Sequence, residues 1–147
     1  MSGLLQELLL LPEVEHIRRE LAGGCRSAMM TGLSPVHRVQ LSAALSRAME
    51  RPLVLVCADE RECERFAGDI ESLLGVQALR LPGREMHLRP AAVASRQWDY
   101  RRIAALHRML AEQPRVILTT AEALCQRCIP PEVLAELKRQ QRHTRER

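Results

Sequence analysis

Apolar positions fall into two rhythms along this chain, helical spacings of three and four and short unbroken runs, and the two rhythms take turns. Leu4, Leu5, Leu8 and Leu9, then Val14, Ile17 and Leu21 after Pro12, predict two short amphipathic helices closed by Gly23 and Gly24. Residues 27–31 (SAMMT) read as a first buried strand. Ser34 and Pro35 then supply a helix cap and a proline at the first helical position, followed by an apolar stripe of Val36, Val39, Ala43 and residues 45–48. The run LVLVC at 53–57 has the character of a parallel strand buried on both faces. Asp59 and Glu62 stand in capping-box spacing before a helix carrying Phe66, Ile70, Leu73 and Leu74, which Gly75 ends.

A third strand is predicted over 76–81, and Pro82 and Gly83 open a connection running to about residue 94, longer than usual between elements of such a fold. Ser95 caps a helix from 96 to about 111, with Ile103, Leu106 and Leu110 inward. A fourth strand at 116–119, a short helix from Ala121, and after Pro130 and Pro131 a helix from 132 to about 140 complete the pattern. Strands alternating with helices predict an α/β fold, a parallel sheet between two helical layers. The organisation expected is a helical lead-in at 1–24, an α/β domain at 25–136 and a basic tail at 137–147.

Composition changes this picture little. A chain of 147 residues that is 46% apolar suits one domain with one core. No apolar run approaches the roughly 20 residues that cross a bilayer, and the start lacks the basic segment and cleavage site of a leader, so no membrane partner and a cytoplasmic location are expected. The net charge of +4 belongs to the tail, where Lys138, Arg139, Arg142, Arg145 and Arg147 face only Glu146. The rest of the chain is balanced. The tail reads either as a weak phosphate contact for DNA through Lys138, Arg139, Arg142 and Arg145, or as a frayed helix end.

Candidate chemistry concentrates at residues 32–39 (GLSPVHRV), between the first expected strand and its helix, where a phosphate-binding loop would sit. In G-x-x-x-x-G-K-[ST] the second glycine lets amides close around phosphates, the lysine neutralises them and the hydroxyl ligates magnesium. Gly32 remains and Ser34 caps the helix, but the three decisive places hold His37, Arg38 and Val39. Valine cannot ligate a metal, arginine lacks the compact ammonium, and a Cβ at 37 resists left-handed backbone. The fourth strand ends in threonines, not in a carboxylate that could hold magnesium. The loop therefore predicts no ATP, no magnesium and no enzyme activity. It reads as a plain helix start or a loose anion seat beside Arg38, and the alternative is a working nucleotide-binding or hydrolysing P-loop domain in which Arg38 replaces the lysine, or a small basic DNA-binding protein.

Three other groups bear on chemistry. Cys125 and Cys128 have the spacing of a redox or half-zinc motif with Cys57 and Cys63 as a remote second half, or all are small buried hydrophobes with Cys25 in a reducing compartment. Five histidines show no paired metal spacing and no nucleophile partner, so no catalytic and no metal-binding residue is expected. Arg96, Trp98, Tyr100, Arg101 and Arg102 gather beside the long loop with Glu85, His87 and Arg89. They could form an interface, or Trp98 could pack the loop onto the sheet.

The ordered segments LLQELLLLPEV, MTGLSPVHRVQLSAAL, RPLVLVCADERECERFAGDIESLLG, LPGREMHLRPAAVASRQWDYRRIAALHRML and PRVILTTAEALCQRCIPPEV together resemble the N-terminal region of bacterial transcription-repair coupling factor, over about residues 1–136. The order and spacing of all five carry the likeness. That region of the family is similar to the excision-repair helicase UvrB, with its first α/β subdomain (domain 1a) and a decayed P-loop. The resemblance implies a UvrB-like, degenerate P-loop domain acting as a non-catalytic scaffold whose partners are the other modules of a longer protein. It implies that UvrA and RNA polymerase are met only through such later modules, and that ATP drives translocation elsewhere. After Glu136 the sequence leaves the family pattern with LKRQQRHTRER, which fits a fragment.

Overall fold

The computed structural model describes residues 3–83, 96–134 and 136, with backbone alone at 96 and 97. The expected lead-in is present as helices α1 (Gly3–Leu9) and α2 (Pro12–Ala22). Leu5 and Val14 are their buried anchors, and α1 packs on helix α3 (Pro35–Ala48). Strand β1 (Leu53–Cys57), helix α4 (Glu60–Leu74), strand β2 (Leu79–Leu81), helix α5 (Arg96–Glu112), strand β3 (Val116–Thr120) and helix α6 (Ala121–Cys125) follow. Residues 131–134 and 136 are helical again beyond the proline pair.

The sheet is parallel, as the alternation of elements requires, with β3 between β1 and β2. Leu53 aligns with Val116 and Cys57 with Thr120, while Leu79 aligns with Ile117 and Leu81 with Thr119. Helix α4 carries the chain from β1 past the place of β3 to β2, and α5 brings it back to the middle. Crossovers of one hand that move in opposite directions put their helices on opposite faces. The side chains obey this. Val116 and Leu118 join Cys63, Phe66 and Ile70 of α4 and Val39, Ala43 and Ala44 of α3 in the main core, whereas Leu79 and Leu81 join Ala105 of α5 in a smaller one.

Helix ends follow their local chemistry. Asp59 Oδ1 accepts from the Glu62 amide at 2.7 Å, and Glu62 Oε2 accepts at 2.7 Å from the amide of Ala58, one residue before the cap. Gly75 closes α4 in the left-handed region, φ 67°, where a Cβ would be strained. Thr120 ends β3 and caps α6, its Oγ1 accepting from the Ala123 amide at 3.1 Å.

Four expectations need correction. Residues 27–31 form no ladder among the described residues, so the sheet has three strands and not four. Met29 among them is 87% exposed. The strand expected at 76–81 is hydrogen-bonded only from Leu79, because Val76 and Ala78 pack on the core from outside the ladder. β1 is an edge strand: Leu53, Leu55 and Cys57 turn to the main core, but Val54 and Val56 are 52% and 54% exposed because α5 sits over β2 and β3. Two helices are rotated from the expected stripe. In α3 the buried positions are Val39, Leu41, Ala43, Ala44 and Ser46 while Val36 faces solvent, and in α5 Arg102 and Ala105 are buried while Ile103 and Leu110 are half exposed.

Candidate functional site

The loop at 32–39 starts with Gly32 in left-handed backbone, φ 76°, which only glycine takes up without strain. Ser34 then caps α3, its Oγ receiving the His37 amide at 3.4 Å and lying 3.1 Å from His37 Nδ1. Both side chains are thereby committed to starting the helix.

Arg38 and Val39 decide what this turn can bind. Val39 is 0% exposed and sits in the main core, so its side chain points into hydrocarbon. Arg38 reaches the other way, its Nη2 lying 3.7 Å from Glu62 Oε1. Glu62 is buried and already holds the Ala58 amide. Swinging Arg38 toward a phosphate would strip that carboxylate of its cation, a costly step for a buried charge.

In an open parallel sheet ligands gather outside the carboxyl ends of the strands. Here that position is a cleft of about 420 Å³ lined by Asp59, Glu60, Arg61, Trp98, Thr120 and Glu122. Among the described residues its lining sets three carboxylates against one guanidinium, an acidic balance. The carboxylates are partly engaged by the fold, since Asp59 caps α4 and Glu60 Oε1 accepts from the Gly83 amide at 3.2 Å. Gly83 approaches so closely that a Cβ there would lie 3.4 Å from that of Ala123.

The aromatic and arginine group divides. Arg101 lies over the Trp98 ring at 5.4 Å from its centroid, and Trp98 lines the cleft. Tyr100 is 66% exposed. Arg102 does not belong with them: it is 8% exposed and turns inward. Its Nη1 donates to Pro82 O at 2.7 Å, and its Nη2 to Ala123 O at 3.0 Å and Gln126 O at 3.4 Å, with Cys128 Sγ at 3.3 Å. This fork ties the end of β2 to α6, a positioning role that its place three residues before Ala105 and seven before Met109 on the inward stripe could have revealed. The side chain of Arg96, with Glu85, His87, Arg89 and the tail residues Lys138, Arg139, Arg142 and Arg145, lies outside the described residues.

The cysteines also separate. Cys57 and Cys63 are buried together in the main core, and burial pushes both thiols up, Cys63 to about 12. Cys25, Cys125 and Cys128 are exposed, against the reading of the cysteines as buried hydrophobes. Among the described residues no three of His, Cys, Asp or Glu are grouped to hold a metal ion, and no helix is long and apolar enough to cross a membrane.

No family model matches the chain, and neither a curated protein nor a solved structure is found to be similar to it.

Proposed function

We propose that this domain is a non-catalytic scaffold, a UvrB-like domain with a degenerate phosphate loop from the start of a transcription-repair coupling factor, whose surface meets neighbouring modules of a longer protein. The observation that carries the reading is the pair Arg38 and Val39, one tied to a buried carboxylate and the other sunk in the core. A turn that has given its cation and its hydroxyl position to packing holds the fold and leaves nothing for a triphosphate. The acidic cleft at the strand ends supports the same view. The apolar side chains of Val54 and Val56, left open on one face of the sheet, support a contact with another module.

Isothermal titration with Mg-ATP tests the absence of a nucleotide site. No saturable heat is expected at millimolar nucleotide, and micromolar affinity would overturn the proposal. Its place in repair is tested by grafting residues 1–136 in place of the equivalent segment of a coupling factor. Preserved bias of excision repair toward the transcribed strand is the expected result; a folded, polymerase-binding chimera without that bias would argue against it.

A further inference from the structure

We infer that Cys125 and Cys128 form a dithiol that exchanges with small disulfides, with Cys128 taking the first attack beside the guanidinium of Arg102. The spacing is that of redox-active pairs, C-x-x-C, and the structure adds access, shape and charge to it.

Cysteine is among the residues most often buried, and Cys57 and Cys63 follow that habit in the main core. Cys125 and Cys128 do not. Both are exposed where α6 ends, within reach of a reagent from solvent.

The chain there is bent into a return. Nη2 of Arg102 reaches Ala123 O at 3.0 Å, Cys128 Sγ at 3.3 Å and Gln126 O at 3.4 Å. Three groups gathered on one nitrogen curl residues 123–128 together, with Gln126 extended (φ −81°, ψ 142°) at the point where α6 stops. Cys128 Sγ also donates to Gln126 O at 3.7 Å, so the sulfur is folded back over the neighbour of Cys125. A closed C-x-x-C disulfide needs such a return, because its two Cα atoms must come within about 7 Å of each other.

Arg102 supplies the charge. It is 8% exposed, and its bonded partners among the described residues are the carbonyls of Pro82, Ala123 and Gln126 and the Cys128 sulfur. Of these only the sulfur can carry a negative charge, by giving up its proton. Reactive cysteines lie where a cation borders an accessible sulfur, and Cys128 has both. Cys25 is exposed too, but its sulfur donates to Ser27 O at 3.1 Å and no guanidinium bonds to it among the described residues. It serves as an internal reference.

The exchange balances without a further reactant. The Cys128 sulfur, as thiolate, attacks one sulfur of a disulfide RSSR; the Cys128–S–R bond forms, the old S–S bond breaks, and the leaving RS− takes up the proton that Cys128 gave away. Cys125 then attacks the Cys128 sulfur in the same way and expels the second RS−, which takes the Cys125 proton. Each cysteine loses one electron, and RSSR gains both and leaves as a pair of RSH.

The test treats the full 147-residue chain with oxidised glutathione, quenches by alkylation and maps the thiols by peptide mass. An intramolecular Cys125–Cys128 disulfide is expected, with Cys25 reacting at least about tenfold more slowly than Cys128. Cys125→Ser should halt the sequence after its first step, with glutathione retained on Cys128. Arg102→Met should slow Cys128 to the rate of Cys25 and Arg102→Lys should restore it in part, while Cys57 and Cys63 stay unreactive and certify an intact core. Equal glutathione on Cys25, Cys125 and Cys128 without closure would overturn the inference. So would a Cys128 rate unchanged in Arg102→Met with both core thiols silent. If Arg102→Met opens the core, the comparison with Cys25 and the Cys125→Ser trap still decide, since both keep the arginine. Neither bears on ATP binding, so this dithiol and the scaffold reading fail separately.

Discussion

The two faces of the sheet are built to different standards. One is covered by α1, α3 and α4, and its core holds ten buried residues from five elements. Among the described residues the other has α5 alone, a core of three buried residues, and a strip along β1 where Val54 and Val56 are exposed. The same strands serve both faces, so strand sequence does not explain the difference; helix supply does. Stability belongs to the crowded face, and the sparse one is held by a single arginine fork and left free for contact.

The sharpest test of this asymmetry is a pair of truncations. Ile70→Ala removes a fully buried side chain from the crowded face and should destabilise the domain by about 3–4 kcal/mol in chemical denaturation. Leu106→Ala, on the sparse face and only partly buried, should cost roughly half as much. Equal losses would break the comparison.

Next in size is Arg102→Met, which keeps the bulk but leaves the carbonyls of Pro82 and Ala123 without their donor. A loss of about 2–3 kcal/mol is expected, with Arg102→Lys recovering only part of it because a point charge cannot span two carbonyls. Full recovery by lysine would mean that charge alone, and not the fork, holds α6 to β2.

The smallest effect at neutral pH concerns Cys63. Its thiol is held at about 12, above its ordinary 9.0, so the folded state keeps a proton that the unfolded state gives up. The stability tied to this group is complete below about pH 9 and drains away as pH climbs toward 12, by up to about 1.4 kcal/mol per pH unit. Cys63→Ala should flatten that alkaline decline in urea midpoints taken at pH 8 and pH 10. Thiol titration at pH 8 should meanwhile find Cys25, Cys125 and Cys128 reactive and the two buried thiols silent.

Much of the fold was legible because local chemistry and tertiary packing agree. Ser34, Asp59 and Gly75 mark helix ends in both sequence and structure, and LVLVC is a strand in both. What misled was exposure. A run of apolar residues looks alike at the centre and at the edge of a sheet, so LVLVC could not reveal that Val54 and Val56 stay open to solvent. Arg102 was hidden for the opposite reason: a guanidinium reads as surface until carbonyls from two distant segments are seen to gather around it. At the turn 32–39 the Ser34 cap was legible, but the partner of Arg38 was not, because Glu62 is fully accounted for locally as a capping residue.

The two threonines at the end of β3 set how far this fold stands from metal chemistry. Thr119 Oγ1 donates to Leu81 O at 3.1 Å in full burial, and Thr120 Oγ1 holds the first turn of α6. Aspartate starts helices as well as threonine does, so position 120 could accept a carboxylate at almost no structural cost. At 119 the same replacement would place a bare anion against a carbonyl in the dry interior. A carboxylate could thus enter by one codon change at 120, while its neighbour is locked into masonry.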